Sequence, residues 1–182
     1  MSNASYVWRR LDLDGLVFVR LEHDVDGVLA EGYEICVDGD DRWVARFAVK
    51  LATQWRHRGT TIEVIDGTGT RRLELSSDDR GAWTRNGQVD ASLDGCSDVD
   101  LAGNPFTNTF VTRRAPPEVG ADLEVRAAYI ETPALSVRRL VQRYERLATD
   151  RWVYADDEYG GFEFSTDADG VAVDYEQLAE RL

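Results

Sequence analysis

The sequence predicts an all-β fold, either a sandwich or a barrel-like sheet. Three observations support this prediction: apolar and polar residues mostly alternate with a period of two, short acidic or glycine turns separate the alternating runs, and strong helical patterns are rare. A length of 182 residues is sufficient for one hydrophobic core of ordinary size. We therefore expect a single domain over residues 1–182.

The first two predicted strands show the alternation most clearly. In residues 16–24, Val17, Val19 and Leu21 share one face, and that face is wholly apolar. In residues 42–51 the apolar face is longer and consists of Trp43, Ala45, Phe47, Val49 and Leu51. Both segments are typical of strands in a half-buried sheet.

Turn signals define the remaining strands. Gly67-Thr68-Gly69 separates strands 60–66 and 70–76, and the Asn86-Gly87 pair supplies the positive φ values that a hairpin within 82–93 requires. Asp167 to Gly170 closes the last hairpin. Further strands are predicted near residues 107–114, 123–132, 151–155, 161–166 and 171–175.

Two segments have helical spacing instead. In residues 134–148 the apolar positions recur every three or four residues, at Val137, Leu140, Val141, Tyr144 and Leu147. This spacing by itself predicts an amphipathic helix. At the C-terminus, residues 175–182 predict one or two helical turns with Leu178 and Leu182 packed inward.

The charged residues are biased toward acids, and the basic residues are almost all arginine. The chain has 34 acidic and 21 basic residues, a formal charge of −13, and Lys50 is its only lysine. An Asp-rich, Lys-poor surface suits a halophilic protein, because high salt screens the self-repulsion of an acidic protein. A biased codon supply is the alternative explanation.

The composition also excludes some classes of function. Basic residues form only short pairs, so we expect no nucleic-acid partner. No run approaches the ~20 apolar residues of a membrane span, and Asp12 and Asp14 lie where a signal peptide would be apolar. We expect a soluble, cytoplasmic protein in which Cys36 and Cys96 are small buried residues rather than a disulfide.

One stretch is distinctive. Residues 95–114 read GCSDVDLAGNPFTNTFVTRR and closely resemble the signature of the putative glycolipid-binding family: Gly-Cys, Asp-Val-Asp-Leu, a Pro two residues before Thr-Asn-Thr, and an Arg pair. The resemblance extends over nearly the whole chain. Other matches in the family's order are Trp8, Glu22, Gly32, Trp43 with Arg46, Gly81 with Trp83, Gln142 with Tyr144, and Val173 to Tyr175.

The resemblance implies a fold similar to that of the bacterial lipoprotein carriers. In that fold a strongly curved antiparallel sheet forms a partly closed barrel with few short helices, and its concave side admits an acyl chain. The resemblance also implies that Gln142 to Arg146 is a strand. We adopt the strand over the helix, because sheet neighbours override local patterns.

The polar residues of this stretch are candidates for ligand binding. Asp98 and Asp100 point to one face of a strand, where with Asp94 they could bind a hard cation, act as acid and base, or pair with Arg113 or Arg114. Four further side chains could bind sugar hydroxyls or their own backbone in turns: Asn104, Thr107, Asn108 and Thr109.

Arginines and aromatic residues complete the candidate site. Arg46, Arg113 and Arg114 could bind a phosphate or carboxylate head group, or simply pair with surface acids. The aromatic candidates could line an apolar pocket, stack on a sugar, or belong to the core, and they are Trp43, Trp55, Trp83, Tyr129 and Tyr144.

We therefore expect a binding protein that holds an amphipathic small molecule or lipid, such as a glycolipid, in the concavity of a curved sheet. The sequence has only His23 and His57 and no nucleophile, metal or nucleotide motif, so we name no catalytic residue, metal or cofactor. The alternative is a small cofactor-independent enzyme that uses Asp98, Asp100 and Arg113 on a hydrophobic metabolite. Unpaired sheet edges could also join two chains as a homodimer.

Overall fold

The computed structural model describes residues 3–182, and over these residues the fold is all-β with one short α-helix. Fifteen strands form one sheet. The strands are β1 Ala4–Arg10, β2 Asp14–His23, β3 Gly27–Asp38, β4 Asp41–Ala52, β5 His57–Asp66, β6 Gly69–Ser77, β7 Trp83–Arg85, β8 Gln88–Val89, β9 Asp98–Leu101, β10 Asp122–Glu131, β11 Ser136–Arg146, β12 Arg151–Asp156, β13 Gly160–Thr166, β14 Ala172–Tyr175 and β15 Ala179–Arg181. The helix α1 is Asn108–Arg114, and 3₁₀ turns occupy Ala91–Leu93 and Pro105–Thr107.

The strand order is simple and brings the chain termini together. From one edge the order runs from β8 down to β1, continues at β15 and then runs down to β9. All neighbouring pairs are antiparallel except β9 and β10, which are parallel. The predicted antiparallel sheet is confirmed with that one exception. The edges within the described chain are β8 and β9, and pairing of two chains through an edge stays a prediction.

Alternation places the core where the sequence predicted it. Val17, Val19 and Leu21 on β2 are buried, as is the whole apolar face of β4 from Trp43 to Leu51. The hairpins between β5 and β6 and around Asn86-Gly87 are also present, and both Asn86 and Gly87 have positive φ. Cys36 and Cys96 are buried free thiols, as expected.

The predicted helix over residues 134–148 is wrong, and the strand implied by the family resemblance is correct. On β11 the buried side chains are Leu140, Gln142 and Tyr144, which alternate with a period of two. Val141 lies on the other face and is exposed. The misleading helical spacing arose because this exposed face carries an apolar residue while the buried face carries a polar one.

The predicted strand at residues 107–114 is also wrong, because this segment is α1. Asn104 precedes the turn and its side chain accepts a hydrogen bond from the Phe106 amide, while Pro105 occupies the first turn. Both are typical helix-start signals. Phe106 and Phe110 lie one turn apart and are fully buried in the main core.

The helix α1 lies between the two halves of the sheet. Phe106 packs on Trp8 of β1 at a ring separation of 6.4 Å, and Val111 belongs to the core cluster of Tyr144 and Trp152 on β11 and β12. The Pro105–Thr107 turn and α1 therefore cover part of the inner face that was expected to be hollow.

The predicted C-terminal helical turns are absent. Residues 172–181 contain β14 and β15 instead, joined by a tight turn. Leu178 is partly buried against the core, but Leu182 is 64% exposed. Among the described residues there is no helix with the length and apolar character needed to cross a membrane.

Candidate ligand-binding cavity

A cavity of about 460 Å³ opens at one end of the sheet. The turns between β1 and β2, β3 and β4, β12 and β13, and β14 and β15 contribute to its wall, together with β9 and the segment before α1. Six aromatic side chains line it: Trp43, Tyr129, Tyr154, Tyr159, Phe162 and Tyr175. This volume and an aromatic lining with a few polar groups are typical of a small-molecule site.

Asp100 is the polar centre of the cavity wall. Thr107 Oγ1 donates to Asp100 Oδ1 at 2.5 Å, and Gln142 Nε2 donates to Asp100 Oδ2 at 2.5 Å. Burial raises the pKa of Asp100 to about 6, although the hydrogen bonds from Thr107 and Gln142 act in the opposite direction. The carboxyl group can therefore change its protonation state near neutral pH.

A hydrogen-bonded network connects Asp100 to the tyrosines behind it. Gln142 Nε2 also donates to the Tyr154 hydroxyl at 3.2 Å, and that hydroxyl donates to Asp156 at 2.5 Å. The Tyr144 hydroxyl donates to Asn108 Oδ1 at 2.9 Å. Burial raises the pKa of both tyrosines, so both stay neutral and fix the position of Asp100.

A second polar cluster borders the cavity at Arg10. Both oxygens of Asp12 accept hydrogen bonds from the Arg10 guanidinium, at 2.7 and 2.5 Å. The guanidinium packs so closely on Gly103 that a Cβ there would lie 2.1 Å from it. Behind it, the fully buried Glu34 accepts from Asn104 Nδ2 at 2.7 Å, and burial raises the pKa of Glu34.

The structure gives the predicted polar candidates mainly internal partners. Asn104 and Asn108 line the cavity, but Asn104 bonds Glu34 and the Phe106 amide, while Asn108 bonds Tyr144 and the Pro105 carbonyl. Thr107 bonds Asp100 and the Asn104 carbonyl. Thr109 is fully buried in α1. Local bonds of the turn are therefore present for Asn104, Thr107 and Asn108, while binding of sugar hydroxyls by these side chains stays a prediction.

Asp98 takes the structural role that was the alternative to ligand binding. It is buried and forms a bidentate ion pair with Arg114. The distance from Arg114 Nη2 to Asp98 Oδ2 is 2.7 Å. Ser97 adds a hydrogen bond of 2.7 Å. This pair ties the end of α1 to β9, and Asp98 and Arg114 do not line the cavity.

The other predicted arginines lie away from the cavity. Arg113 bonds the Asp169 carbonyl at 2.5 Å and covers the Trp55 ring at 4.8 Å. Arg46 is exposed on the outer face of β4. The expected arginine site for an anionic head group is therefore not assembled, and neither is the constellation of Asp98, Asp100 and Arg113.

The aromatic candidates divide between the cavity and the core. Trp43 and Tyr129 line the cavity, and Tyr144 supports it from behind. Trp83 is a core residue that stacks on His57 at 4.6 Å and donates to the Cys96 carbonyl at 3.1 Å. Trp43 is different, because its buried indole N–H has no hydrogen-bond partner in the described chain.

Sequence reasoning missed several wall residues. They are Arg10, Asp12, Tyr154, Tyr159, Phe162 and Glu176. Tyr175 also lines the cavity, and the sequence pointed to it only as the last residue of the Val-Asp-Tyr match to the family. The described chain contains no group of three or more His, Cys, Asp or Glu side chains arranged to hold a metal ion.

Comparison with known proteins assigns the family. The model of the family described as "Putative glycolipid-binding" matches residues 5–181. The chain belongs to this family. A crystal structure of a DUF1089 family protein from Pseudomonas aeruginosa superposes with a TM-score of 0.83 at 32% identity, covering 91% of this chain and 92% of that one. No match is found among curated proteins. The glycolipid-binding family thus accounts for almost the entire chain, including β9, α1 and every segment of the cavity wall.

Proposed function

We propose that this member of the family is a binding protein that holds an amphipathic ligand, such as a lipid or glycolipid, in the cavity beside Asp100. The observation that carries this proposal is the cavity itself, whose wall combines six aromatic side chains with the hydrogen-bonded carboxyl group of Asp100. Apolar and aromatic walls with a few placed polar groups are typical of small-molecule sites. Trp43 belongs to this wall, and its buried indole N–H has no hydrogen-bond partner in the described chain.

The size of the cavity fits part of an amphiphile. About 460 Å³ accommodates a head group and the first segment of a chain, while the half-open mouth leaves room for the remainder. The family description supports a lipid-like ligand. The buried, reduced Cys36 and Cys96 are compatible with a reducing compartment, and we place the protein in the cytoplasm.

An enzymatic function receives no comparable support from the geometry. Of the three residues in that hypothesis, only Asp100 faces the cavity, because Asp98 is bound to Arg114 and Arg113 is bound at Asp169. A single carboxyl group with a pKa near 6 is compatible with a proton-transfer role. The hydroxyl group in contact with Asp100 is that of Thr107, which is buried, also bonds the Asn104 carbonyl and does not line the cavity, so we favour binding.

Native mass spectrometry of gently purified protein, combined with thermal unfolding across a lipid library, tests the proposal. We expect a retained ligand, or a melting temperature raised by roughly 5–10 °C at a hundredfold excess over Kd. Ala102→Trp introduces a large side chain at the cavity wall and should abolish the rise in melting temperature. Ala48→Trp, on the outer face of β4, should retain that rise. A consistently empty cavity with no thermal shift from any lipid would overturn the proposal.

A further inference from the structure

The charge of the cavity wall is strongly one-sided. Four carboxylates line it without an ion-pair partner in the described chain: Asp38, Asp41, Asp100 and Glu176. Asp38, Asp41 and Glu176 are exposed at the mouth, and Asp100 lies deeper. Arg10 is the only basic residue of the described wall, and it is already bound to both oxygens of Asp12. An anionic head group would therefore face repulsion with no free cation to offset it.

The aromatic rings of the same wall favour a cation. The face of an aromatic ring attracts a positive charge within about 6 Å. Tyr129 already makes such a contact, since the guanidinium of Arg138 lies 4.8 Å from its ring centroid. Arg138 is not part of the wall and pairs with Glu158 at 2.5 Å. In the described chain no other arginine makes a cation–π contact with any of the six aromatic side chains of the wall.

We propose that the ligand's head group is a cation, an ammonium or alkylated amine joined to an apolar chain. This inference rests on the proposed function, because it specifies the chemistry of the ligand in the same cavity. Carboxylates at the mouth would attract the ammonium, and the faces of Trp43 and the tyrosines would surround its alkyl groups.

Three amphiphiles with the same octyl chain separate the head-group classes. We would measure octyltrimethylammonium, octyl glucoside and octyl sulfate by titration calorimetry, each below its critical micelle concentration, in 0.15 M KCl, with circular dichroism confirming that the protein stays folded. We expect saturable one-to-one binding of the ammonium at least tenfold tighter than the glucoside, and no saturable binding of the sulfate.

Charge variants show whether the cavity itself is responsible, because a protein of charge −13 attracts cations everywhere. Asp38→Asn with Asp41→Asn should weaken ammonium binding about five- to tenfold and leave glucoside binding unchanged. The control Asp26→Asn with Glu118→Gln removes the same charge from exposed positions; Asp26 lies at the opposite end of β3 from Asp38. We expect the control to bind all three probes like the wild type.

The outcomes distinguish this inference from the proposed function. Tighter binding of the glucoside or the sulfate would overturn the cationic head group while supporting an amphiphile site. Equal weakening of ammonium binding in both double variants would assign the effect to general surface charge and also overturn the inference. Failure of all three probes to saturate, together with an empty cavity in native mass spectrometry, would refute the proposed function itself.

Discussion

Asp100 gives the folded protein a characteristic pH dependence. Its pKa is raised from 3.8 to about 6, so the folded state holds the proton more tightly than the unfolded chain does. This contribution to stability is fully present below about pH 4 and is lost as the pH rises through 6. The shift corresponds to on the order of 3 kcal/mol.

The Asp100→Asn variant isolates this effect. We expect the free energy of unfolding of the wild type, minus that of the variant, to fall by about 3 kcal/mol between pH 4 and pH 7 in urea denaturation. Burial lowers the pKa of His57 to about 3, which gives an opposite slope, but both proteins contain His57 and its contribution cancels. A difference that is constant with pH would show that Asp100 is not the titrating group.

At the level of elements, the Asp98–Arg114 pair joins β9 to α1. Arg114→Met should cost about 3–5 kcal/mol, because it leaves a buried carboxylate without its partner. Adding Asp98→Asn should recover most of that loss, as measured by a double-mutant cycle in urea. Amphiphile affinity should not change in the double variant, since neither residue lines the cavity. If the losses in free energy of unfolding from the two substitutions were strictly additive, the two side chains would not stabilise the fold as a pair.

The elements differ in how far the sequence could predict them. The β4 face from Trp43 to Leu51 was predictable because every buried residue is apolar. The strand β3 was not, because its buried face includes Gly32 and Glu34 while Tyr33 and Ile35 are exposed. Gly32 leaves room for the ring of Phe47, and a Cβ there would lie 2.4 Å from it. Tertiary contacts of this kind have no local signature.

The cavity shows the same division. Trp43, Asp100, Asn104 and Asn108 were predicted and do line it, because the recognised stretch and β4 supply one side of the wall. The opposite side comes from turns such as those at Tyr159 and Glu176, which only the curvature of the complete sheet brings close. Asn104 caps the turn through a local bond from the Phe106 amide, but the partner of its side-chain N–H, Glu34, lies 70 residues away in the chain.

For the whole molecule, the charge of −13 predicts a response to salt. We propose that the acidic excess is an adaptation to a high-salt cytoplasm, so the melting temperature at pH 7 should rise as KCl increases from 0.05 to 2 M. Near the sequence isoelectric point of about 4.5 the net charge vanishes and the rise should be much smaller. A protein that is fully folded at low ionic strength and whose melting temperature at pH 7 does not change in molar KCl would contradict this proposal.

The ligand site itself is tested most directly by the indole N–H signals of the tryptophans in ¹H–¹⁵N NMR spectra during titration with the octyl amphiphiles. Trp43 lines the cavity with an unpartnered N–H, whereas the N–H groups of Trp8 and Trp83 are bonded to the carbonyls of Ala172 and Cys96. Binding in the cavity predicts a saturable shift of the Trp43 signal while the signals of Trp8 and Trp83 stay in place. Saturable binding that leaves the Trp43 signal unmoved would contradict it.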